Sequence, residues 1–232
     1  MDFSYIDRNV SDIRRRIDDA AARAGRDPKE ISVLAAIKSA DADEVNYLHN
    51  VCKIDLVGEN RVQQLTERFD KLDKRELEIH FIGSLQTNKV KCVIDKVSLI
   101  HSLDSERLAA EIQKQAQKRG ITANVLVEIN SGNEQSKGGI APESTADFCL
   151  SLGKYSNIKL CGFMTMAPKC ERKEDYYPYF NRTREIALSV WRDTLGRDGE
   201  PIISMGMSES FEQAIECGAN MVRIGRILFA KH

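Results

Sequence analysis

The sequence predicts a (β/α)8 barrel, and three observations lead there. Short aliphatic runs alternate with longer polar segments of helical spacing, and eight such units follow one another. The runs read as strands covered on both faces, which implies a parallel sheet with helices between its strands, and eight units of this size fit a closed barrel better than an open sheet. The two most irregular stretches, residues 131–142 and 167–178, each follow a predicted strand, on the face where such a barrel keeps its site.

The elements follow in order. Ile6, Val10, Ile13, Ile17, Ala20, Ala21 and Ala24 recur at spacings of three and four, and Gly25 with Asp27-Pro28 supplies a stop, so the chain opens with an amphipathic helix additional to the barrel. Arg14 with Asp18 and Arg15 with Asp19 form i,i+4 pairs, and the run Arg14 to Arg16 is expected to be a solvated face. The predicted strands are SVLAAIK (32–38), IDLVGE (54–59), EIHFIGS (78–84), SLIHSL (98–103), NVLVEIN (124–130), KLCGFMTM (159–166), PIISMG (201–206) and MVRIG (221–225). Asp41 with Glu44 and Ser210 with Gln213 have the spacing of capping boxes, and Gly120 and Gly218 fall where helices should stop. No low-complexity or Ser/Gly-rich linker divides the chain, which predicts one domain over residues 1–232.

Composition narrows the function classes. Among 232 residues, 34 Lys and Arg balance 35 Asp and Glu to a net charge of −1, which argues against nucleic acid or an anionic membrane as the main partner. The six cysteines are scattered without a CxxC pair, disfavouring a zinc knuckle and suiting small core residues in a reducing cytosol. Neither a secretory apolar segment nor a run of 18 apolar residues is found, so a cytoplasmic, unanchored protein is expected. G-x-G, HExxH and G-x-S-x-G are absent, and residues 132–138 lack the order of a P-loop.

Lys38 ends the apolar run 33–37, where a strand would deliver it to the carboxyl mouth of the barrel. Partial desolvation there would lower its pKa and favour the free amine that a Schiff base requires; a lysine snorkelling at a strand end accounts for the position equally well. Ser204-Met-Gly-Met-Ser208 follows the seventh strand and Arg223-Ile-Gly225-Arg226 lies at the eighth, the region where barrels commonly hold phosphate. Ser208 is expected to cap a helix beginning near Glu209 and to offer its hydroxyl to an anion, with Gly225 permitting close approach of a backbone N–H; a plain N-cap explains Ser208 nearly as well. Since the first and last strands are neighbours in a closed barrel, lysine and cradle together describe a site for a phosphorylated aldehyde.

These residues also resemble a known family, the pyridoxal phosphate homeostasis proteins (YggS and PROSC), whose barrel is similar to the N-terminal domain of alanine racemase. The resemblance runs from Lys38 through Gly58-Glu-Asn60, His80-Phe-Ile-Gly83, Leu85-Gln86, Asn88-Lys89, His101-Ser102, Asn130, Ser136-Lys137, Gly139, Gly162 and Met164-Thr165. It continues through Ser204-Met-Gly-Met-Ser208, Phe211-Glu212, Ala214-Ile215 and Val222-Arg-Ile-Gly225. It implies that Lys38 forms a Schiff base with pyridoxal 5′-phosphate (PLP), that Ser208 and the amides of Gly225 and Arg226 hold the phosphate, that Arg223 faces the pyridine nitrogen, and that Asn60 and Ser204 lie close by. An always-charged guanidinium disfavours protonating that nitrogen and makes the ring a poorer electron sink. In alanine racemase a second acid/base resembles a tyrosine from a further β-rich domain, which the sequence, ending at His232, is expected to lack. Arg61, Ser84, Ile37 and Gly138 depart from the family pattern, at positions more often aromatic, histidine, small and serine.

Remaining polar residues are expected to be structural. His80 and His101 read as hydrogen-bonded core or rim histidines, Glu59, Asp104 and Glu128 as rim carboxylates bonding loop amides, Met164, Met166, Met205 and Met207 as packing under the ring, and Tyr176, Tyr177 and Tyr179 as a lid or helix face. The leading expectation is a non-catalytic, monomeric PLP carrier that can pass its cofactor to apo-enzymes. A PLP-dependent racemase and a cofactor-free aldolase using Lys38 are the rival readings.

Overall fold

Eight parallel strands close on themselves in sequence order in a computed structural model that describes residues 2–133 and 138–231. They are β1 (Ser32–Ala36), β2 (Leu56–Glu59), β3 (Glu78–Phe81), β4 (Leu99–Leu103), β5 (Ala123–Ile129), β6 (Ile158–Thr165), β7 (Ile202–Ser204) and β8 (Met221–Ile224). Closure is made by β1 against β8, with Leu34 opposite Arg223. The helices are α1 (Ser4–Arg23), α2 (Ala42–Asn50), α3 (Val62–Arg68), α4 (Val90–Val93), α5 (Glu106–Arg119), α6 (Thr145–Ser151), α7 (Tyr177–Ser189) and α8 (Phe211–Glu216). No helix among the described residues is long and apolar enough to cross a membrane, and all six cysteines are free thiols.

Every predicted strand is present, most with shorter ends and β5 and β6 shifted by one residue. β1 stops at Ala36, so Lys38 sits in the following turn, and β3 stops at Phe81, leaving Gly83 and Ser84 in a loop. The capping box of α2 forms: Asp41 Oδ1 accepts from the Glu44 amide at 2.8 Å and Glu44 Oε2 from the Asp41 amide at 2.9 Å. The box expected at Ser210 does not form. Gly206, at φ +87°, folds the chain back before α8, and Ser210 Oγ accepts from the Met207 amide at 3.3 Å instead of an amide within the helix. For the same reason the helix starts at Phe211, and Ser208 is no N-cap. Gly120 ends α5 in the left-handed region at φ +64°, as the pattern predicts.

The first helix is less an addition than a replacement. Among the described residues no helix follows β8, and α1 fills that place in the outer ring, between α8 and α2. Its apolar stripe is buried, and its charged side chains fasten both neighbours. Arg16 pairs with Glu212 of α8 at 3.0 Å with its guanidinium over the Phe211 ring, Arg23 pairs with Glu216 at 2.6 Å, and Tyr47 of α2 donates to Asp7 at 2.8 Å. Of the run Arg14 to Arg16, Arg14 and Arg15 are exposed as expected, Arg14 donating to the Cys52 carbonyl at 2.7 Å and Arg15 pairing with Asp12 and Asp19, whereas Arg16 is half-buried against α8.

The main apolar core lies between sheet and helices, where Phe81, Phe163 and Ile100 are fully or almost fully buried, each worth roughly 1.5–3 kcal/mol of transfer free energy. Inside the barrel are two small apolar groups, Leu34–Ile82–Met221 and Leu99–Leu126–Met164. His80, His101, Ser204 and Arg223, all buried, accompany them there.

Candidate functional site at the carboxyl mouth

One pocket of about 260 Å3 gathers Lys38, Asn60, Ser208, Arg223, Gly225 and Arg226, together with Ala36, Ile82, Met166, Tyr176 and Met207. Six of the seven residues singled out in the sequence thus share one cavity. The seventh, Ser204, lies behind it and reaches the pocket only through Arg223.

Lys38 is exposed, not partly desolvated as expected, because β1 ends two residues earlier. Its turn is nevertheless held. Arg68 of α3 donates to the carbonyls of Ile37 and Ala40, both at 2.7 Å, and to Glu59 Oε2 at 2.9 Å. Glu59 is fully buried, and its other oxygen accepts from the amides of Asn60 and Arg61 at 2.8 and 3.2 Å. It is the amide-bonding rim carboxylate the sequence suggested; burial raises its pKa against the pull of Arg68. Sequence reasoning missed Arg68, which belongs to no local motif and meets the lysine turn across 30 residues of chain.

Asn60 brings an unmet acceptor. Its Oδ1 is buried and makes no hydrogen bond among the described residues, a state that costs about 1–3 kcal/mol until a donor arrives. Gly83 is required beside it, since a Cβ there would lie 2.0 Å from the Asn60 carbonyl oxygen.

The last two strand ends supply the anion-binding half. A Cβ on Gly225 would lie 2.7 Å from the Ala36 carbonyl oxygen, so glycine lets β8 end against β1 and brings the cradle next to the lysine turn. Among the described residues the amides of Gly225 and Arg226 have no acceptor outside the strand ladder. The Arg226 guanidinium pairs with Glu209 at 2.6 Å, so its backbone N–H, not its side chain, is what it offers the pocket.

Arg223 is buried and fixed by three bonds: Nη1 donates to the Ser204 carbonyl at 2.8 Å and to Ser204 Oγ at 2.7 Å, and Nη2 to the Thr165 carbonyl at 2.9 Å. Burial lowers its pKa to about 10, opposed by nearby Glu128, so it stays cationic at neutral pH. Glu128 is itself raised to about 7 by burial and by Asp104, and lies outside the pocket lining. Met166 and Met207 stand half-exposed at the rim, whereas Met164 and Met205 are buried core residues outside the pocket lining. Tyr176 lines the pocket, stacked on Phe180, and its hydroxyl accepts from the Cys170 amide at 3.3 Å; Tyr177 bonds Glu216 of α8. An amine, an unmet carbonyl acceptor, a buried cation and free amides within one pocket are the donor set for a molecule carrying both an aldehyde and a phosphate.

Comparison with known proteins agrees. Residues 5–232 match the family model described as alanine racemase, N-terminal domain. The pyridoxal phosphate homeostasis protein of Aquifex aeolicus is 44% identical over 225 residues, covering 96% of both chains, and that of Escherichia coli K12 is 32% identical over 95% of this chain and 94% of its own. The chain belongs to the pyridoxal phosphate homeostasis protein family. Among solved structures, an unknown protein from Bifidobacterium adolescentis superimposes with a TM-score of 0.89 at 31% identity, over 99% of this chain and 97% of its own. PipY of Synechococcus elongatus, solved with PLP bound, shares the fold at TM-score 0.80 and 24% identity, over 93% of this chain and 100% of its own. Alanine racemase of Clostridium difficile does so at 0.76 and 22%, over 99% of this chain and 57% of its own.

The departures from the homeostasis-protein pattern leave the pocket's named groups in place. Ile37 is buried with its carbonyl held by Arg68, Arg61 contributes its amide to Glu59, Ser84 is exposed, and Gly138 packs near Asp104. Ser136 and Lys137, part of the resemblance, lie outside the described residues.

Proposed function

We propose that residues 1–232 act as one PLP-binding unit that holds the cofactor reversibly on Lys38 and takes part in vitamin B6 homeostasis without turning over a substrate. The observation that carries this reading is the convergence of the Lys38 turn, Asn60 Oδ1 and the unengaged Gly225 and Arg226 amides on one pocket. PLP supplies a reactive aldehyde and a dianionic phosphate. When bound, the aldehyde would condense with the Lys38 amine with loss of water, and an incoming amine would exchange for Lys38, so release would need no redox step. Ser208 Oγ and the Gly225 and Arg226 amides would hold the phosphate, Asn60 Oδ1 would accept from a donor on the ligand, and Arg223 would face the ring nitrogen. A permanent cation there disfavours protonation of the ring, which suits storage better than carbanion chemistry. We also propose a cytoplasmic monomer whose recipients are apo-enzymes that need PLP.

The test is the visible absorption spectrum of the purified protein before and after borohydride, followed by peptide mass mapping. A yellow band that disappears on reduction, with the added mass on Lys38, supports the reading. A protein that stays colourless and unmodified with PLP overturns it in favour of a cofactor-free aldolase. Deuterium exchange at Cα of several amino acids, at rates well above free PLP, would overturn the non-catalytic part in favour of a racemase.

A further inference from the structure

Behind the pocket, a line of buried side chains crosses the barrel from β8 and β7 to β4 and β3. Arg223 Nη1 donates to Ser204 Oγ at 2.7 Å, Ser204 Oγ meets His101 Nδ1 at 3.2 Å, and His101 Nε2 meets His80 Nδ1 at 2.9 Å. At the far end His80 Nε2 faces Glu78 Oε2 at 3.7 Å. Ser204 and His101 are fully buried, and His80 is 3% exposed.

Hydrogen-bond bookkeeping gives the line a direction. With Ser204 accepting from Arg223, its own proton goes to His101 Nδ1, His101 Nε2–H donates to His80 Nδ1, and His80 Nε2–H points at the Glu78 carboxylate. Each of the three protons inside the line then has an acceptor, and the His80 Nε2–H faces the Glu78 carboxylate at 3.7 Å, too far for a hydrogen bond but favourable in sign. The reverse order sets the bare Nε2 of His80 against a carboxylate oxygen and leaves the Ser204 proton without an acceptor among the described residues. Burial holds both imidazoles neutral, with His80 lowered to about 4 and His101 lowered further by its neighbours His80 and Arg223.

We propose that His101 and His80 are positioning residues for the cofactor site: acting through Ser204, they hold the Arg223 guanidinium in the orientation that keeps Nη1 and Nη2 engaged and leaves Nε for the cofactor's ring nitrogen. This rests on the PLP-binding reading above. Neither histidine lines the PLP pocket, so their contribution passes entirely through the serine hydroxyl. Without an acceptor at His101 Nδ1 the hydroxyl loses the partner that orients it, the Arg223 anchor at Ser204 Oγ weakens, and the guanidinium is free to swing toward Glu128.

The experiment uses the full chain and four variants: His101→Leu, His101→Asn, Ser204→Ala and the double variant H101L/S204A. PLP affinity is read by absorbance titration, and thermal stability and histidine 15N spectra are read without cofactor. H101L is expected to weaken PLP about tenfold, equivalent to about 1.4 kcal/mol. H101N, whose Oδ1 replaces the Nδ1 acceptor, should restore affinity to within about threefold of wild type. The double variant should bind no worse than the weaker single one, because both cut the same line. Wild-type spectra at pH 7 should show both histidines neutral and protonated at Nε2.

Unchanged PLP affinity in a folded but less stable H101L, strictly additive single effects, or Nδ1-protonated tautomers would each overturn the proposal. Should H101L fail to fold, H101N and S204A carry the affinity comparison. A wild-type protein that takes up no PLP refutes the proposed function instead, and the cofactor-free 15N spectra still decide the direction of the line.

Discussion

At the amino mouth of the barrel a cavity of about 570 Å3 opens over Leu56, Leu99, Ile202 and Met221, whereas the pocket at the carboxyl mouth encloses about 260 Å3. The larger space is the quieter one. Several of its polar groups bond protein partners: Arg14 donates to the Cys52 carbonyl, Asn124 Nδ2 to the Ser98 carbonyl at 3.0 Å, and Asp55 pairs with His49 Nδ1 at 2.7 Å. At the carboxyl mouth Asn60 Oδ1 and two amides have no such partners among the described residues. Unmet hydrogen-bonding capacity, more than volume, distinguishes the end that awaits a ligand.

The largest effect that sharpens this contrast is expected from Lys38→Ala. Borohydride should then trap no PLP, while stability changes by no more than about 0.5 kcal/mol because the side chain is exposed; mass mapping and urea unfolding check the two halves. Arg68→Met should cost about 3–5 kcal/mol, since it leaves Glu59 buried without its partner and frees the lysine turn. Denaturant unfolding together with PLP titration tests this, and unaltered PLP affinity would remove Arg68 from the site.

Glu128→Gln probes pH dependence. The folded-state pKa of about 7 lies above the unfolded value, so the folded state holds the proton more tightly and stability falls as pH rises from about 4.5 through 7. Its full size is about 3 kcal/mol as an upper bound. His80 acts oppositely: with a folded pKa of about 4, it destabilises the fold as pH falls from about 6.5. Unfolding of E128Q from pH 5 to 8 should lose the Glu128 slope and keep that of His80.

Gly225→Ala should cost about 1–3 kcal/mol through its contact with the Ala36 carbonyl and weaken PLP binding, read by the same titrations. Smallest is Lys53→Gly at the amino mouth, where φ is +56°. Stability should rise by up to about 1 kcal/mol with PLP uptake unchanged; a change in uptake would break the contrast between the mouths.

The barrel was legible because burial on both faces writes itself into local runs of aliphatic residues, and Lys38, Ser208 and Gly225 because strand-end positions in a closed barrel are predictable. What local pattern could not show depends on contacts between distant segments. The grip of Arg68 on the Lys38 turn joins α3 to β1, and the His80–His101–Ser204 line joins strands on opposite sides of the barrel. Each residue taken alone reads as a rim cation or a satisfied histidine. The Ser210 capping box failed for a similar reason: the spacing is right, but the Gly206 turn, tight enough that a Cβ would lie 2.5 Å from Ala214 Cβ, diverts the hydroxyl.

Because α1 occupies the ring position next to β8, the barrel closes through its most sequence-distant partners. Arg16 meets Glu212 across 196 residues, and Asn9 donates to the Leu228 and Ala230 carbonyls at 3.0 and 2.9 Å. During synthesis the first helix and first strand leave the ribosome long before the segments they need, and contacts of such separation form late. Lys38 and the Gly225 amide belong to the two sides of that seam, so the cradle comes into being only when β8 docks against β1. The two halves of the pocket are therefore assembled last, and the site exists only in a chain whose whole barrel has closed.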